Sequence, residues 1–326
     1  MKITVVTAAY NAEQYIEKCL ESVQQEVERL RGEEIGPFNP ERWRAVGTDA
    51  IHVSHLVVDG NSNDQTTAIL ERWGRLTGAR RGRLGFSATR FPERPTESAM
   101  ASIKYGFSYL TEPDEGQSDG LNKGFRLAEG EWILWLNADD YLLPGSLRAF
   151  LETLESVSYN VDVLYGHYRF VNSDGELQRR LYTIPYSQFL VRHLAFLPPT
   201  SGTLFRRKIL CDNPLDVTFH YTMDREWFLR CGGSLRAMRI RRELTAFRVT
   251  ETSKTGNFTL HGKLSEQHRF EQRLNWKRHI EPSYSWLPSD MRGAFFGSVR
   301  LLSKVAVRLL KLSELVLSKT VLVPDR

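Results

Sequence analysis

From Trp132 to Leu136 every residue is apolar, and the run ends in Asn137-Ala138-Asp139-Asp140. A short continuous apolar stretch bounded by turn signals, here Pro144 and Gly145, reads as a strand buried on both faces. Such a strand restricts the chain to a sheet covered on both sides. In open α/β sheets ligands bind outside the carboxyl ends of the strands, so Asp139 and Asp140 stand at the mouth of a site, with a helix starting near Ser146. With Asn137 beside them they form a hard-oxygen group suited to Mg²⁺ or Mn²⁺ rather than zinc. A solvated loop with a helix-capping aspartate uses the same residue types. The pair therefore has to be read together with the rest of the chain.

Upstream, Ile3–Thr7 reads as a first buried strand. It is followed by Ala8-Ala9-Tyr10-Asn11 and by a helical pattern at Tyr15, Ile16, Cys19, Leu20 and Val23. A second strand, His55–Val58, ends in Asp59-Gly60-Asn61-Ser62-Asn63-Asp64, and a helix over 66–76 follows with Asp64 placed to cap it. Residues 31–50 and 77–102 read as irregular insertions, the second a mobile surface loop near the site that could serve as a lid. A third strand is expected over Ile103–Tyr109, and Thr111–Gly124 then leads into a helix through Leu127. Strands alternating with helices over 1–140 predict a doubly wound, mostly parallel α/β sheet. Neither G-x-G-x-x-G nor G-x-x-x-x-G-K-[ST] occurs in this half, which disfavours a dinucleotide site and a P-loop.

The second half changes character. Val161–Tyr165 and Tyr168–Val171 read as strands, Asn172-Ser173-Asp174-Gly175 as a hairpin turn, and Thr203–Phe205 and Leu244–Val249 as further strands. His220–Arg230 is a loop leading into a helix, with Asp224 near its N-terminus, where a carboxylate is favoured electrostatically whether or not it has a function. Residues 262–280 are expected to be helical, and so is the tail from Phe295 to Leu322. Seven Lys/Arg between 292 and 326 face only Glu314 and Asp325, which accounts for the whole net charge of +5. Arg300, Lys304, Arg308 and Lys311 fall within about 80° of one another on a helical wheel. Such a helix either packs its apolar face on the protein or lies on an anionic membrane surface.

The local placement of the basic charge, without a recognition motif, argues against nucleic acid as the main partner. Apolar content of 41% suits a globular enzyme. Three widely spaced cysteines, Cys19, Cys211 and Cys231, suggest neither a metal site nor a disulfide framework, and a reducing compartment is the simpler reading. The strand-like N-terminus argues against a signal peptide, and no apolar run reaches the length of a spanning helix.

Taken together, Thr4–Asn11, Val57–Thr66, Thr111–Gly116, Leu121–Gly124 and Leu136–Asp140 resemble the family 2 glycosyltransferases, inverting enzymes of GT-A fold that use nucleotide-diphospho sugars. The similarity continues more loosely to about residue 255. The resemblance implies a GT-A domain over 1–256, with a nucleotide-binding half (1–145) and a partly antiparallel acceptor-binding half (146–256). A basic helical extension over 257–326 matches nothing in the family. It further implies that Thr7, Ala9, Tyr10, Asn11 and Asp59 hold the nucleoside, and that Asn122 and Lys123 lie along the sugar-diphosphate. Asp139 and Asp140 match the metal motif, with Asn137 where an aspartate is common. Asp224 falls at the catalytic base, preceded by Met223 rather than an acid. Residues 248–254 resemble a loop that closes over the diphosphate, with Thr250 replacing a frequent histidine, so phosphate contacts fall to Ser253 and Lys254.

The chemistry supports these residue types on its own terms. A diphosphate leaving group needs its charge neutralised, which a divalent ion on carboxylates does. An acceptor hydroxyl needs a base to take its proton. The expectation is a metal-dependent (Mg²⁺ or Mn²⁺) hexosyltransferase of cell-surface polysaccharide biosynthesis. It would act on a UDP-sugar and a saccharide or lipid-linked acceptor, in the cytoplasm or on the cytoplasmic membrane face. The alternatives are a catalytically inactive sugar-nucleotide-binding scaffold and a sugar-phosphate nucleotidyltransferase. The nucleotidyltransferase lacks its Gly-rich phosphate loop here.

Overall fold

The computed structural model describes residues 1–32, 50–78, 102–157, 160–250, 253–254, 256 and 264–320, leaving aside the side chains at 50, 102, 306 and 309–320. The two expected insertions fall almost wholly outside these residues, and so does their reading as a lid.

The first half alternates as expected: β1 (Lys2–Ala9), α1 (Ile16–Arg31), β2 (Ala50–Asp59), α2 (Thr66–Thr77), β3 (Ser102–Thr111), α3 (Gln117–Leu127) and β4 (Trp132–Trp135). β1, β2, β3 and β4 pair parallel, in the order β3-β2-β1-β4. All four residues of β4 are buried on both faces, and large apolar side chains fully withdrawn from water contribute about 1.5–3 kcal/mol each. α1 presents Ile16, Cys19, Leu20, Val23 and Val27 to one side of the sheet, each fully buried. α3 presents Leu121 and Phe125 to the other.

After β5 (Tyr141–Leu142) and α4 (Ser146–Ser156), the sheet continues through β8 (Thr203–Arg206), β6 (Val163–Val171) and β9 (Ala237–Arg248). β8 is antiparallel to β4, and β9 runs parallel to β6 and antiparallel to β5. The two strands expected at 161–165 and 168–171 are one strand. Its register against β9 slips around His167, which breaks the pattern without breaking the strand. The hairpin turn at 172–175 forms, and β7 (Leu177–Leu181) returns along β6.

α5 (Gln188–Leu194), α6 (Arg207–Asp212) and α7 (Met223–Cys231) cover the second half. The helix expected over 262–280 is α8 (Glu266–Asn275), ending in a π-helical turn, Trp276–Ile280. α9 (Ser289–Thr320) is the basic tail helix. Ile280 and Tyr284 are buried in the same apolar cluster as Trp135, Phe205 and Trp227, so the C-terminal segment is built into the core. The architecture is a mixed α/β sheet, parallel in its nucleotide-side half, with C-terminal helices.

Candidate active site

β1 pairs with β2 on one side and β4 on the other, so chain direction around the sheet reverses there. This is the topological switch point at which α/β sheets open a ligand crevice. Its rim is built from strand ends tied to one another. Asn11 and Asn61 both have left-handed backbones (φ 48° and 63°), a conformation asparagine tolerates better than other non-glycine residues. The Asn11 N–H donates to Ser62 Oγ (2.8 Å), and the Asn63 N–H to Asn11 Oδ1 (3.0 Å). Tyr10 stands out from this rim, 62% exposed. Asp64 accepts from the Glu13 and Thr66 N–H groups, so it ties the two strand ends together; the N-cap of α2 is the next residue, Gln65, rather than the expected Asp64.

The other residues expected at the nucleoside lie deeper. Strand alternation turns Thr7 and Ala9 into the α1 side of the core, with Thr7 Oγ1 3.0 Å from His55 Nε2. Asp59 is fully buried, and its carboxylate accepts from the Ser62 and Thr67 hydroxyls. These three shape the rim from beneath.

Asn122 and Lys123 go elsewhere. Asn122 shares the buried stripe of α3 with Ser118, Leu121 and Phe125, and both ends of its amide hold the Leu215 backbone (2.9 and 2.8 Å). Lys123 Nζ is held by the Pro113 carbonyl (2.8 Å), Glu112 and Asp119 (both 3.1 Å). The expected diphosphate contacts are thus replaced by framework bonds for both side chains. Burial decides Asn122, and local acidic partners decide Lys123.

Asp139 and Asp140 have opposite fates. Asp140 is buried. Its oxygens accept from the Arg248 N–H (2.8 Å), from Asn137 Nδ2 (3.1 Å) and from the Ser201 hydroxyl. Burial, followed by the neighbouring Asp139, raises its carboxyl well above the ordinary range. Asp139 is partly exposed, and its carboxylate accepts from its own backbone N–H. Burial raises it too, opposed by Arg248 and Lys254. Arg248 itself is buried under Tyr15, 4.5 Å from the ring, and its side chain donates to the backbone carbonyls of Asp139, Asn172 and Ser173.

The two carboxylates expected to hold a metal thus have different surroundings: Asp140 is taken up by framework bonds, and Asp139 is partly exposed. Among the described residues no group of three or more His, Cys, Asp or Glu is arranged to hold a metal. One carboxylate still fits Mg²⁺ or Mn²⁺, because such ions are commonly held by one or two carboxylates together with substrate phosphates rather than by an all-protein cage.

Three residues not singled out in the sequence complete the crevice. Gln117, at the start of α3, donates to Asn137 Oδ1 (3.2 Å) and accepts from Lys254 Nζ (3.1 Å). Lys254 thereby lies over the crevice, in the field of Asp139 and Asp114. Asp114 rests against Gly60 and Gly120, where an added Cβ would come within 2.6 and 2.9 Å of its Oδ2. Burial raises its carboxyl. Its place just past the end of β3 is the signal that could have marked it. Ser201 joins Asp140 and the Asn137 N–H (3.1 Å). Ser253 is turned back on Thr250, its hydroxyl donating to the Thr250 carbonyl (2.9 Å), while 251, 252 and 255 lie outside the described residues.

Next to Ser201 begins a second opening, a cavity of about 980 Å³ lined by Pro199, Thr200, Asp224 and Arg225 among others. Asp224 sits in the first turn of α7, with Oδ1 accepting its own neighbour's N–H at Arg225 (2.6 Å). Burial raises its carboxyl, partly countered by Arg225, and a raised carboxyl is closer to what a general base needs near neutrality. The loop that presents it is held by Glu271 of α8. This buried carboxylate accepts from three successive N–H groups, His220 (2.8 Å), Tyr221 (2.9 Å) and Thr222 (2.8 Å). No sequence pattern links residue 271 to 220–222.

Comparison with known proteins gives consistent results. Residues 94–227 match the family model described as glycosyl transferase family 2. An uncharacterized glycosyltransferase of Nostoc sp. is 28% identical over 107 residues, 31% of this chain and 33% of that protein. One of Rickettsia conorii is 25% identical over 85 residues, 26% of this chain and 14% of that protein. Among solved structures, residues 1–349 of S. aureus TarS align at a TM-score of 0.51 and 18% identity, covering 92% of this chain and 87% of that one. That likeness is one of fold.

Proposed function

We propose that the chain, whose residues 94–227 match the glycosyl transferase family 2 model, transfers a sugar, with inversion, from a UDP-sugar to a saccharide or lipid-linked saccharide in cell-surface polysaccharide assembly. The observation that carries the reading is the placement of two carboxylates with different surroundings. Asp139 is partly exposed at the switch point, and Asp224 lines the cavity together with Thr200, whose neighbour Ser201 is bonded to Asn137 and Asp140.

In this reading the nucleoside lies on the rim of Tyr10 and Asn11, over the loop that Asp59 organises. The diphosphate lies between Asp139, Lys254 and the α3 N-terminus. A divalent ion bound to Asp139 and the diphosphate would supply Lewis-acid neutralisation of the leaving group. Lys254 adds a positive charge there, and Gln117 keeps the lysine in place. Asp224 accepts the proton of the acceptor hydroxyl as its oxygen bonds to the anomeric carbon and the bond to the diphosphate breaks. Attack from the side opposite the leaving group inverts that carbon.

The reading extends to location at the cytoplasmic membrane face. Among the described residues no helix is long and apolar enough to cross a membrane. α9 turns Ser303 and Val307 inward, while Leu301 (65%), Leu302 (71%) and Val305 (52%) are exposed beside Arg300, Lys304 and Arg308. An apolar stripe flanked by basic residues is the pattern of a helix lying in an anionic interface.

Calorimetric titration of UDP and GDP, with and without Mn²⁺, tests the donor site. Metal-dependent binding of one nucleotide, lost in Asp139→Ala, is the expected result. Failure of both to bind folded protein would sink the proposal.

A further inference from the structure

The cavity beside Asp224 has a composition that its role in proton transfer does not require. Two stretches of its wall are aromatic: Tyr168, Phe170 and Phe247 from β6 and β9, and Trp276 and Phe296 from the C-terminal segment. Trp276 and Phe296 meet edge to face at 4.4 Å. Flat aromatic faces offer the broad, partly apolar contact that pyranose rings take. Four arginines also line it, Arg225, Arg269, Arg273 and Arg300, against Asp224 as its single carboxylate among the described residues.

Most partly buried arginines of this protein are matched. Arg169, Arg206 and Arg230 reach carboxylates, and Arg248 reaches three carbonyls. Arg192, Arg207 and Arg225 each have a buried Nε with no partner among the described residues, and of the three it is Arg225 that lines the cavity; an unmet buried donor of a charged group is destabilising until something accepts from it. Arg300 lies close enough to repel Arg225, and burial and that repulsion both lower the Arg225 guanidinium from its ordinary value. Arg273 likewise makes no ion pair among the described residues. Crowded cations on a cavity wall, one of them buried and unsatisfied, are the arrangement a bound anion relieves. The planar guanidinium suits the paired oxygens of phosphate or carboxylate.

We propose that the acceptor is an anionic saccharide, its sugar face on the aromatic stretches of the wall and its phosphate or carboxylate group received by Arg225 with Arg273 and Arg300. The inference rests on the glycosyltransferase reading and specifies its acceptor. The anion also places the acceptor hydroxyl, because Arg225 is the residue next to the base.

The test presents the full-length protein, with UDP and Mn²⁺, with three sets of oligosaccharides: neutral, uronate-bearing and phosphate-bearing. Acidic members are expected to bind at least tenfold tighter than neutral ones of similar length. Arg225→Gln should remove that preference without moving nucleotide affinity. The exposed double variant Arg273→Gln/Arg300→Gln should weaken it too, which keeps the test decisive if Arg225→Gln fails to fold. Preference for uronate or for phosphate identifies the anion. Equal binding of neutral and acidic members, variants that change nothing, or no saccharide binding at all while the nucleotide binds would overturn the inference and leave the donor site standing. Absence of nucleotide binding would instead break the glycosyltransferase reading itself.

Discussion

The crevice at the ends of β1–β4 and the cavity beside α7 adjoin, yet they are built on opposite principles. In the crevice the polar groups are mostly carboxylates and amides. Asp59, Asp140, Asn137, Gln117 and Asn11 are each held by neighbouring groups before any ligand arrives. In the cavity the polar groups are mostly arginines, and Arg225 has an unmet buried donor. A diphosphate carried with a divalent cation suits a negative, preorganised crevice, because the cation supplies the missing charge. An acceptor that brings its own negative charge suits the other. The difference suggests that nucleotide and acceptor recognition can be disabled separately.

The largest effect should separate them most cleanly. Asp224→Asn is expected to lower turnover by roughly 10²–10⁴ with nucleotide affinity unchanged, read by steady-state kinetics beside calorimetry. Since the base must be ionised and burial raises its carboxyl, activity should rise with pH along a limb lying above the ordinary carboxylate range. A parallel loss of nucleotide binding would show that the two openings are one site. Asp139→Asn should weaken Mn²⁺-dependent nucleotide binding by at least the ~10–100-fold that loss of a metal's outer partner costs. Its melting temperature should hardly move.

Asp140→Asn should do the reverse. An amide cannot accept from Arg248, Asn137 and Ser201 together, so denaturant unfolding should show about 1–3 kcal/mol of destabilisation. If the adjacent aspartates behave alike in both assays, the contrast drawn between them fails. The smallest effect lies on the cavity's outer helix. Lys304→Ala should reduce sedimentation with anionic vesicles by about 1 kcal/mol, roughly fivefold, and leave neutral vesicles and nucleotide affinity unaffected.

Much of this was legible in the sequence where burial is two-sided. β1, β4 and the last turn-side stretch of β2 announce themselves because a strand covered on both faces has no polar alternation, whereas Ile51–Ser54 alternates and falls outside the expected strand; the end of β4 places Asp139 directly. β7 was legible only through its turn, because Leu177–Leu181 is largely exposed and carries no pattern. The slip at His167 made one strand look like two. Within the site, motif position found the right loops but not the direction of side chains. Asp139 and Asp140 are consecutive, and only the turn closed by Asp140 N–H to the Asn137 carbonyl decides which faces the crevice. Asn122 is instructive in retrospect, since its spacing from Ser118, Leu121 and Phe125 already places it on the inward stripe of α3. Glu271 and Gln117 act through partners tens to more than a hundred residues away, a separation at which local pattern is silent.

The bonds of Arg248 have a consequence for how this protein comes into being. The loop carrying Asp139 receives its backbone clamp from a residue 109 positions later, and β5, which follows that loop, has β9 as its strand partner. Contacts across such separations close late and slowly, since the entropy of a long loop has to be overcome before the pairing rewards it. During synthesis, the first strands can associate while the crevice remains unfinished, and only a chain extended through residue 248 can lock it. On the proposed function, nucleotide recognition would then depend on completion of the second half, and a chain that lacks β9 would neither hold a donor in a competent pose nor consume activated sugar.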